Sequence, residues 1–283
     1  MFRTLYLALL CVSASLTQLA AQPDTLWQSH LDSVVVSAAR LPIPQMRAPY
    51  SLQQLEAADW GEGRQQLSLA PALNQLPGLL VLNPTNFAQD LRLSVRGFGA
   101  RSAFGIRGIQ LWVDGLPETT PDGQGQVDNL DGGLIRGATL LSGPASGLYG
   151  NAAGGVIQLQ TEAPPTSAMA AASLSTGSYG FRRLQLKGGN QHGPYQWLVY
   201  GSHTQNEGYR SHSRMQQTLL NGRVRRKLGS RGQIELLLNY VNSPIAEDPG
   251  GLTRDLLETD RQQAWERNRL FDARESVAQG KAG

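Results

Sequence analysis

The sequence predicts an α+β domain over residues 45–162, a small mixed sheet with short helices and long loops, followed over 166–283 by antiparallel β-strands. Three observations predict it. Leu91-Arg-Leu-Ser-Val-Arg-Gly-Phe98 pairs an alternating strand with a glycine at its end. Gly143-Pro-Ala-Ser-Gly-Leu-Tyr-Gly-Asn-Ala-Ala-Gly-Gly-Val-Ile157 places glycine where a tight turn or a close backbone approach would exclude a side chain. After Ala163-Pro-Pro165 helical spacing disappears and two-residue alternation takes over.

The chain opens like an export signal. Arg3 supplies a positive start, Leu5 to Val12 an apolar run, and Ala20-Ala21 the small residues before a cut, so 1–21 is expected to be removed. That run is shorter than a membrane-spanning helix needs. Cys11, the sole cysteine, falls within it, so the mature chain would lack disulfides and thiolate metal sites. Export without disulfides fits a bacterial envelope protein.

Residues 22–44 read as an extended N-terminal stretch, with a β-branched run from Leu31 to Ala39 beside the prolines at 42, 44 and 49. Arg64 to Leu76 has loosely helical spacing and ends at Pro77-Gly78. Short strands are expected at Leu79–Leu82, Leu91–Val95, Ile109–Val113, Ile135–Leu141 and Gly155–Gln160, with Asp114-Gly115 as a hairpin turn. The connections 83–90, 98–107 and 117–126 are long for a small domain, and long ordered loops tend to carry function.

In the second half, alternation marks Phe181–Lys187, Trp197–Ser202, Thr218–Lys227 and Gln233–Asn242. In the last of these Ile234, Leu236, Leu238 and Tyr240 share one face, opposite Gln233, Glu235 and Asn239. This pattern fits lipid-facing barrel strands, and it equally fits a soluble antiparallel sheet. Leu252 to Ala264 reads as a polar loop, and no terminal aromatic strand follows Arg274-Glu-Ser-Val277.

Composition excludes several functions. The net charge is only +3, and the densest basic cluster, Arg223-Val-Arg-Arg-Lys227, lies inside a strand without a nucleic-acid reading motif, so no nucleic-acid partner is expected. Pro144 rather than glycine stands two before Ser146, which breaks the nucleophile-elbow pattern. His30, His192, His203 and His212 lack metal-ligand spacing. No enzyme, cofactor or metal centre is expected.

Three blocks carry a resemblance to the plug domain and first barrel strands of TonB-dependent outer-membrane receptors. The first is Asp32, Ser33, Val34, Val35, Val36, Ser37 and Ala38, which resembles the TonB box. The second runs from Leu73 to Leu80 through Val95-Arg96-Gly97-Phe98 to Leu111-Trp-Val-Asp114-Gly115-Leu-Pro117. The third is the 143–157 segment, with Gly143, Pro144, Tyr149, Gly150, Gly154 and Gly155 as its structural residues.

The resemblance implies a plug over 45–162 and an incomplete barrel over 166–283, with room for about five strands where family barrels use twenty-two, as in an N-terminal fragment. It implies a TonB-type periplasmic energy transducer as partner, engaged by strand addition, and outer-membrane lipid around the strands. Residues 96–108 and 121–126 resemble the ferric siderophore or ferric citrate branch, while haem and cobalamin remain open as ligands. In that setting Arg101 and Arg107 are expected to attract an anionic iron chelate, and Asn86, Phe104, Asp122 and Gln124 to shape its site. The same arginines could instead bind the barrel wall. A soluble plug-like binding or signalling module is the alternative. Family plugs carry acidic, acidic and Arg residues before Gly-Pro where this chain has Arg136, Thr139 and Ser142, so its plug-to-barrel ion pairs are expected to differ.

Overall fold

The computed structural model describes residues 35–36, 43–44, 50–56, 66–103, 105–229 and 232–283. The expected signal (1–21), Asp32, Ser33, Val34, Ser37 and Ala38 of the TonB-box match, and Phe104 lie outside the described residues. Val35–Val36 (β1) and Ile43–Pro44 (β2) are two-residue strands.

The α+β domain is built on a five-stranded sheet. Its strands are Ser51–Leu55 (β3), Ile109–Val113 (β7), Leu116–Pro117 (β8), Ile135–Ser142 (β10) and Gly155–Thr161 (β11), in the spatial order β3-β10-β11-β7-β8. The β11–β7 pair is parallel and the others antiparallel. Two small ribbons flank it: Leu79–Val81 (β4) with Leu93–Val95 (β5), and Ile106–Arg107 (β6) with Gln124–Gly125 (β9).

The helical spacing read over 64–76 yields one described turn, Ala70–Leu73 (α1), which buries Ala70, Ala72 and Leu73. Proline at 71 suits the first turn of a helix, and Pro77-Gly78 follows closely. The apolar residues there work by packing: Leu69, Leu73 and Leu76 join Leu93, Ile109, Leu111, Leu140 and Ile157 in one core. Each such fully buried side chain contributes about 1.5–3 kcal/mol.

A one-turn helix, Ser146–Tyr149 (α2), closes the domain. Tyr149 and Trp112 meet edge to face at 5.3 Å, and Gln158 donates to the Tyr149 hydroxyl at 2.6 Å.

From residue 169 the chain forms six antiparallel strands in sequence order: Met169–Thr176 (β12), Arg182–His192 (β13), Tyr195–Asn206 (β14), Met215–Leu228 (β15), Gly232–Glu247 (β16) and Arg274–Ala282 (β17). Two of the six, alanine- and serine-rich β12 and polar β17, are not among the strands that alternation marks, because they show little hydrophobic alternation. The polar stretch between β16 and β17 carries two short helices, Arg254–Thr259 (α3) and Glu266–Leu270 (α4). Among the described residues the six-stranded sheet stays open and forms no closed barrel.

The strands sort their side chains by face. On β14, Tyr195, Trp197 and Val199 are exposed, while Gln196, Leu198 and Tyr200 are buried. The inner face packs on the α+β domain, where Leu134 meets Leu198, Tyr200 and Leu219. The outer face presents Leu184, Leu186, Leu220, Val224, Ile234, Leu236, Leu238 and Tyr240. That is the order of side chains required when one face meets lipid and the other a filled lumen.

Candidate functional site

Three long loops are tied together at one edge of the α+β domain. Arg92 Nη1 donates to the Ser102 carbonyl at 3.2 Å, joining loop 82–92 to loop 98–105. The β6–β9 ribbon joins loop 98–105 to loop 117–126. Gln126 Nε2 donates to both Asp90 carboxylate oxygens at 3.2 Å, which closes the triangle. Polar loops that would lose conformational entropy on ordering thus hold one another in place.

The predicted ligand residues divide into two groups. Arg107, Asp122 and Gln124 come together: Arg107 Nη2 donates to Gln124 Oε1 at 2.9 Å and stands 3.9 Å from Asp122. Thr120 donates to Asp122, and this hydrogen bond first, with Arg107 adding to it, holds the carboxyl below its ordinary pKa. Asn86 lies elsewhere, donating at 3.0 Å to Oδ1 of Asp248 in the loop after β16. Arg101 is exposed, with no hydrogen bond or ion pair among the described residues.

Asn86 lines two recesses. One, about 90 Å³, has a polar wall that includes Asp90, Asp128 and Glu275. There the Asp128 carboxyl is pushed up to about 8, first by the protein packed around it and then by the negative charge of Asp90, with a smaller part from Glu275. The other, about 530 Å³, lies between loop 85–89 and the loops that follow β12, β14 and β16.

The domain is fastened to the strands by ion pairs that sequence reading did not identify. Asp131 accepts from Arg183 on β13 and from Ser202 on β14. Asp114 stands 3.5 Å from Arg223 on β15, which also donates to Thr161 Oγ1 at 3.0 Å and the Glu162 carbonyl at 3.2 Å. Glu162 pairs with Lys187 on β13 at 2.6 Å, and Glu118 with Lys281 on β17. Arg136 pairs with Glu162 inside the domain at 2.6 Å. Thr139 and Ser142 are buried. The acids that meet the wall lie in the turn after β7, after β8, in the loop before β10 and just past β11. Inward alternation was the available signal: Arg223 and Arg225 share a face with Glu235 across the β15–β16 ladder.

The glycine motifs serve backbone geometry. Arg96-Gly97 and Asp114-Gly115 are tight two-residue turns, with φ of 50° and 91° in the first and 50° and 84° in the second. Positive φ at both central positions matches the twist of the strands they join. Asp114 then accepts from the Thr161 amide at 2.9 Å and from its hydroxyl at 2.6 Å. At Gly155, φ is 133° and a Cβ would stand 2.2 Å from the Leu141 carbonyl oxygen. Gly143, Gly150 and Gly154 bracket α2, and Pro144 precedes it.

Residues 44–156 match the TonB-dependent receptor plug domain. A hemin receptor of Yersinia pestis is 31% identical over 164 residues, which are 56% of this chain and 23% of that receptor. The pyoverdine outer membrane receptor FpvA of Pseudomonas aeruginosa superposes with a TM-score of 0.60 at 17% identity, over 74% of this chain and 30% of FpvA. The ferric yersiniabactin uptake receptor FyuA of Yersinia pestis gives a TM-score of 0.55 at 19% identity, over 69% of this chain and 32% of FyuA. The chain thus spans between 23% and 32% of the length of these relatives.

Proposed function

We propose that this chain supplies the plug and adjoining wall of an outer-membrane receptor for a metal chelate, because residues 44–156 match the TonB-dependent receptor plug domain and are followed by antiparallel strands of an incomplete barrel. It acts by binding and transport, not catalysis. The observation that carries this reading is the plug match itself, standing on a domain whose three long loops are tied into one apex.

In this reading residues 1–21 export the chain, and 32–38 offer an extended strand to a TonB-type periplasmic transducer. The apex binds a ferric siderophore, ferric citrate or haem. The names of the relatives, a hemin receptor and receptors for pyoverdine and ferric yersiniabactin, support that range of ligands. The exposed apolar row on the outer strand face supports a setting in outer-membrane lipid over a soluble module, since so many large side chains are costly to leave in water.

The test is uptake of iron chelates by cells that carry the full-length receptor. Val34→Pro or Val36→Pro should abolish uptake and leave chelate binding intact, because proline removes a backbone donor from the added strand. Undiminished uptake would refute the TonB-box assignment. Unchanged chelate affinity in Arg101→Ala and Arg107→Ala would remove those arginines from the ligand site.

A further inference from the structure

The 530 Å³ recess is of the size that holds a small molecule, and its wall is uncommon in charge. Phe87 comes from the plug loop, Tyr179 from the turn after β12, and Tyr209 and Arg210 from the loop after β14. The Tyr179 and Tyr209 rings meet edge to face at 5.4 Å, and each residue keeps about half its surface exposed (53% and 46%). Tyr179 sits in left-handed backbone, φ 58°, a conformation disfavoured for a bulky residue. The Glu207 amide donates to its carbonyl at 2.9 Å, tying the two tyrosine loops together. The chain thus spends backbone strain to hold an exposed aromatic pair over a cavity.

The charges in the wall are already used. Each nitrogen of the Arg210 guanidinium donates to a backbone carbonyl: Nε to Gln263 at 3.0 Å, Nη1 to Gly250 at 2.6 Å and Nη2 to Pro249 at 2.9 Å. Asp248 accepts from Asn86 at 3.0 Å, from Gln89 at 3.1 Å and from the Gly250 amide at 2.9 Å. Arg101 and Arg107 are not among the lining residues. The wall thus offers a ligand three aromatic side chains, a carboxylate and no uncommitted cation, so selectivity there comes from ring contacts and not from charge.

We propose that this recess selects an iron chelate with a flat aromatic or conjugated face, and that it discriminates against aliphatic hydroxycarboxylate chelates such as ferric citrate. The proposal rests on the receptor reading for its ligand being an iron chelate, and it narrows that reading. It predicts that specificity follows Tyr179, Tyr209 and Phe87 and not the exposed arginines.

The experiment is equilibrium dialysis of the full 283-residue chain in detergent micelles against three probes. They are the ferric complex of 2,3-dihydroxybenzoate, hemin and ferric citrate. The first or the second should bind about tenfold more tightly than ferric citrate, and which of the two does so identifies the source of the aromatic face. Joint Tyr179→Leu and Tyr209→Leu substitution, which keeps apolar bulk, should cost that probe about tenfold in affinity. Joint Tyr→Phe substitution should preserve binding, and Arg254→Ala, an exposed α3 residue outside the recess, should leave the preference unchanged. Near-UV circular dichroism reports whether each variant is folded; should the leucine pair fail to fold, Phe87→Leu takes its place. Ferric citrate binding as tightly as the better-bound aromatic probe, no probe binding, or leucine variants with undiminished affinity would each overturn the proposal. Because dialysis needs no energised uptake, undiminished uptake in Val34→Pro would count against the TonB-box assignment and leave this result standing.

Discussion

Arg183, on β13, donates to the carboxylate of Asp131 in the plug, with the two side chains only 4% and 3% exposed. The Gln66 carbonyl also accepts from Arg183, and Ser202 donates to Asp131. Two charges taken out of water are tolerable here because each has several partners, and removing one member strands the other. Asp131→Ala should therefore destabilise the packing of plug against strands by about 3–5 kcal/mol. Replacing both residues together, Arg183→Met with Asp131→Leu, should recover most of that loss. Urea unfolding in micelles, arranged as a double-mutant cycle with Arg183→Met and Asp131→Leu as the two singles, checks it; a double variant whose loss equals the sum of the two single losses would show that the pair is not coupled.

A second prediction concerns Gly155. A Cβ there would meet the Leu141 carbonyl oxygen at 2.2 Å, backbone that cannot swing aside, and the residue has φ of 133°. Steric conflict and backbone strain act together at the first residue of β11, where it pairs with Ser142 of β10 and Ile109 of β7. Gly155→Ala should cost at least ~1–3 kcal/mol, seen as a lower unfolding midpoint. Gly147→Ala, with open space around its Cβ position, is the matched control and should change little.

The glycine signal explains why the plug was readable. A position such as Gly155, or the Asp114-Gly115 turn, is dictated by local geometry, and local geometry is written in adjacent residues. The ion pairs were not readable, because Asp131 and Arg183 lie 52 residues apart and alternation says only that Arg183 points inward, not what it meets. For the same reason Asn86 and Arg107 looked like members of one site. The chain brings Arg107 to Gln124 through the β6–β9 ribbon but carries Asn86 across to Asp248. β12 was missed because Ala170, Ala171 and Ala172 have no apolar contrast from one face to the other.

A third prediction is pH dependence at the plug apex. Asp128 has its carboxyl raised to about 8, first by the protein packed around it and then by Asp90. A raised acid favours the protonated form in the folded state, so the stability it contributes is full below the unfolded pKa of about 4. That contribution is lost as pH rises through about 8. Asp128 is solvent-exposed by surface area, however, so water screens the shift and makes the slope shallower than burial would give. Protease cleavage within loop 83–92 should thus increase between pH 5 and 8, and Asp128→Asn should flatten that rise. A profile that the substitution leaves unchanged would assign the pH response to other groups.

The outer strand face supplies the last prediction. Leu236, Leu238 and Tyr240 on β16 are exposed, and Leu238 pairs in register with Gly222 of β15 and Ala282 of β17. The side chain at 238 therefore stands in a shallow surface flanked by small neighbours. Lysine there would lack both a carboxylate neighbour and a short path to water if lipid covers the face. Leu238→Lys should cost about 2–4 kcal/mol where the position lies near the bilayer midplane, measured by unfolding of the full-length receptor from phospholipid vesicles. The matched substitution on the other face, Asn239→Lys, tests a different cost. Asn239 donates to the Asn129 carbonyl at 3.2 Å, so its replacement loosens the plug but does not oppose insertion. Equal insertion of wild type and Leu238→Lys, with no difference in stability, would show that water and not lipid covers this face.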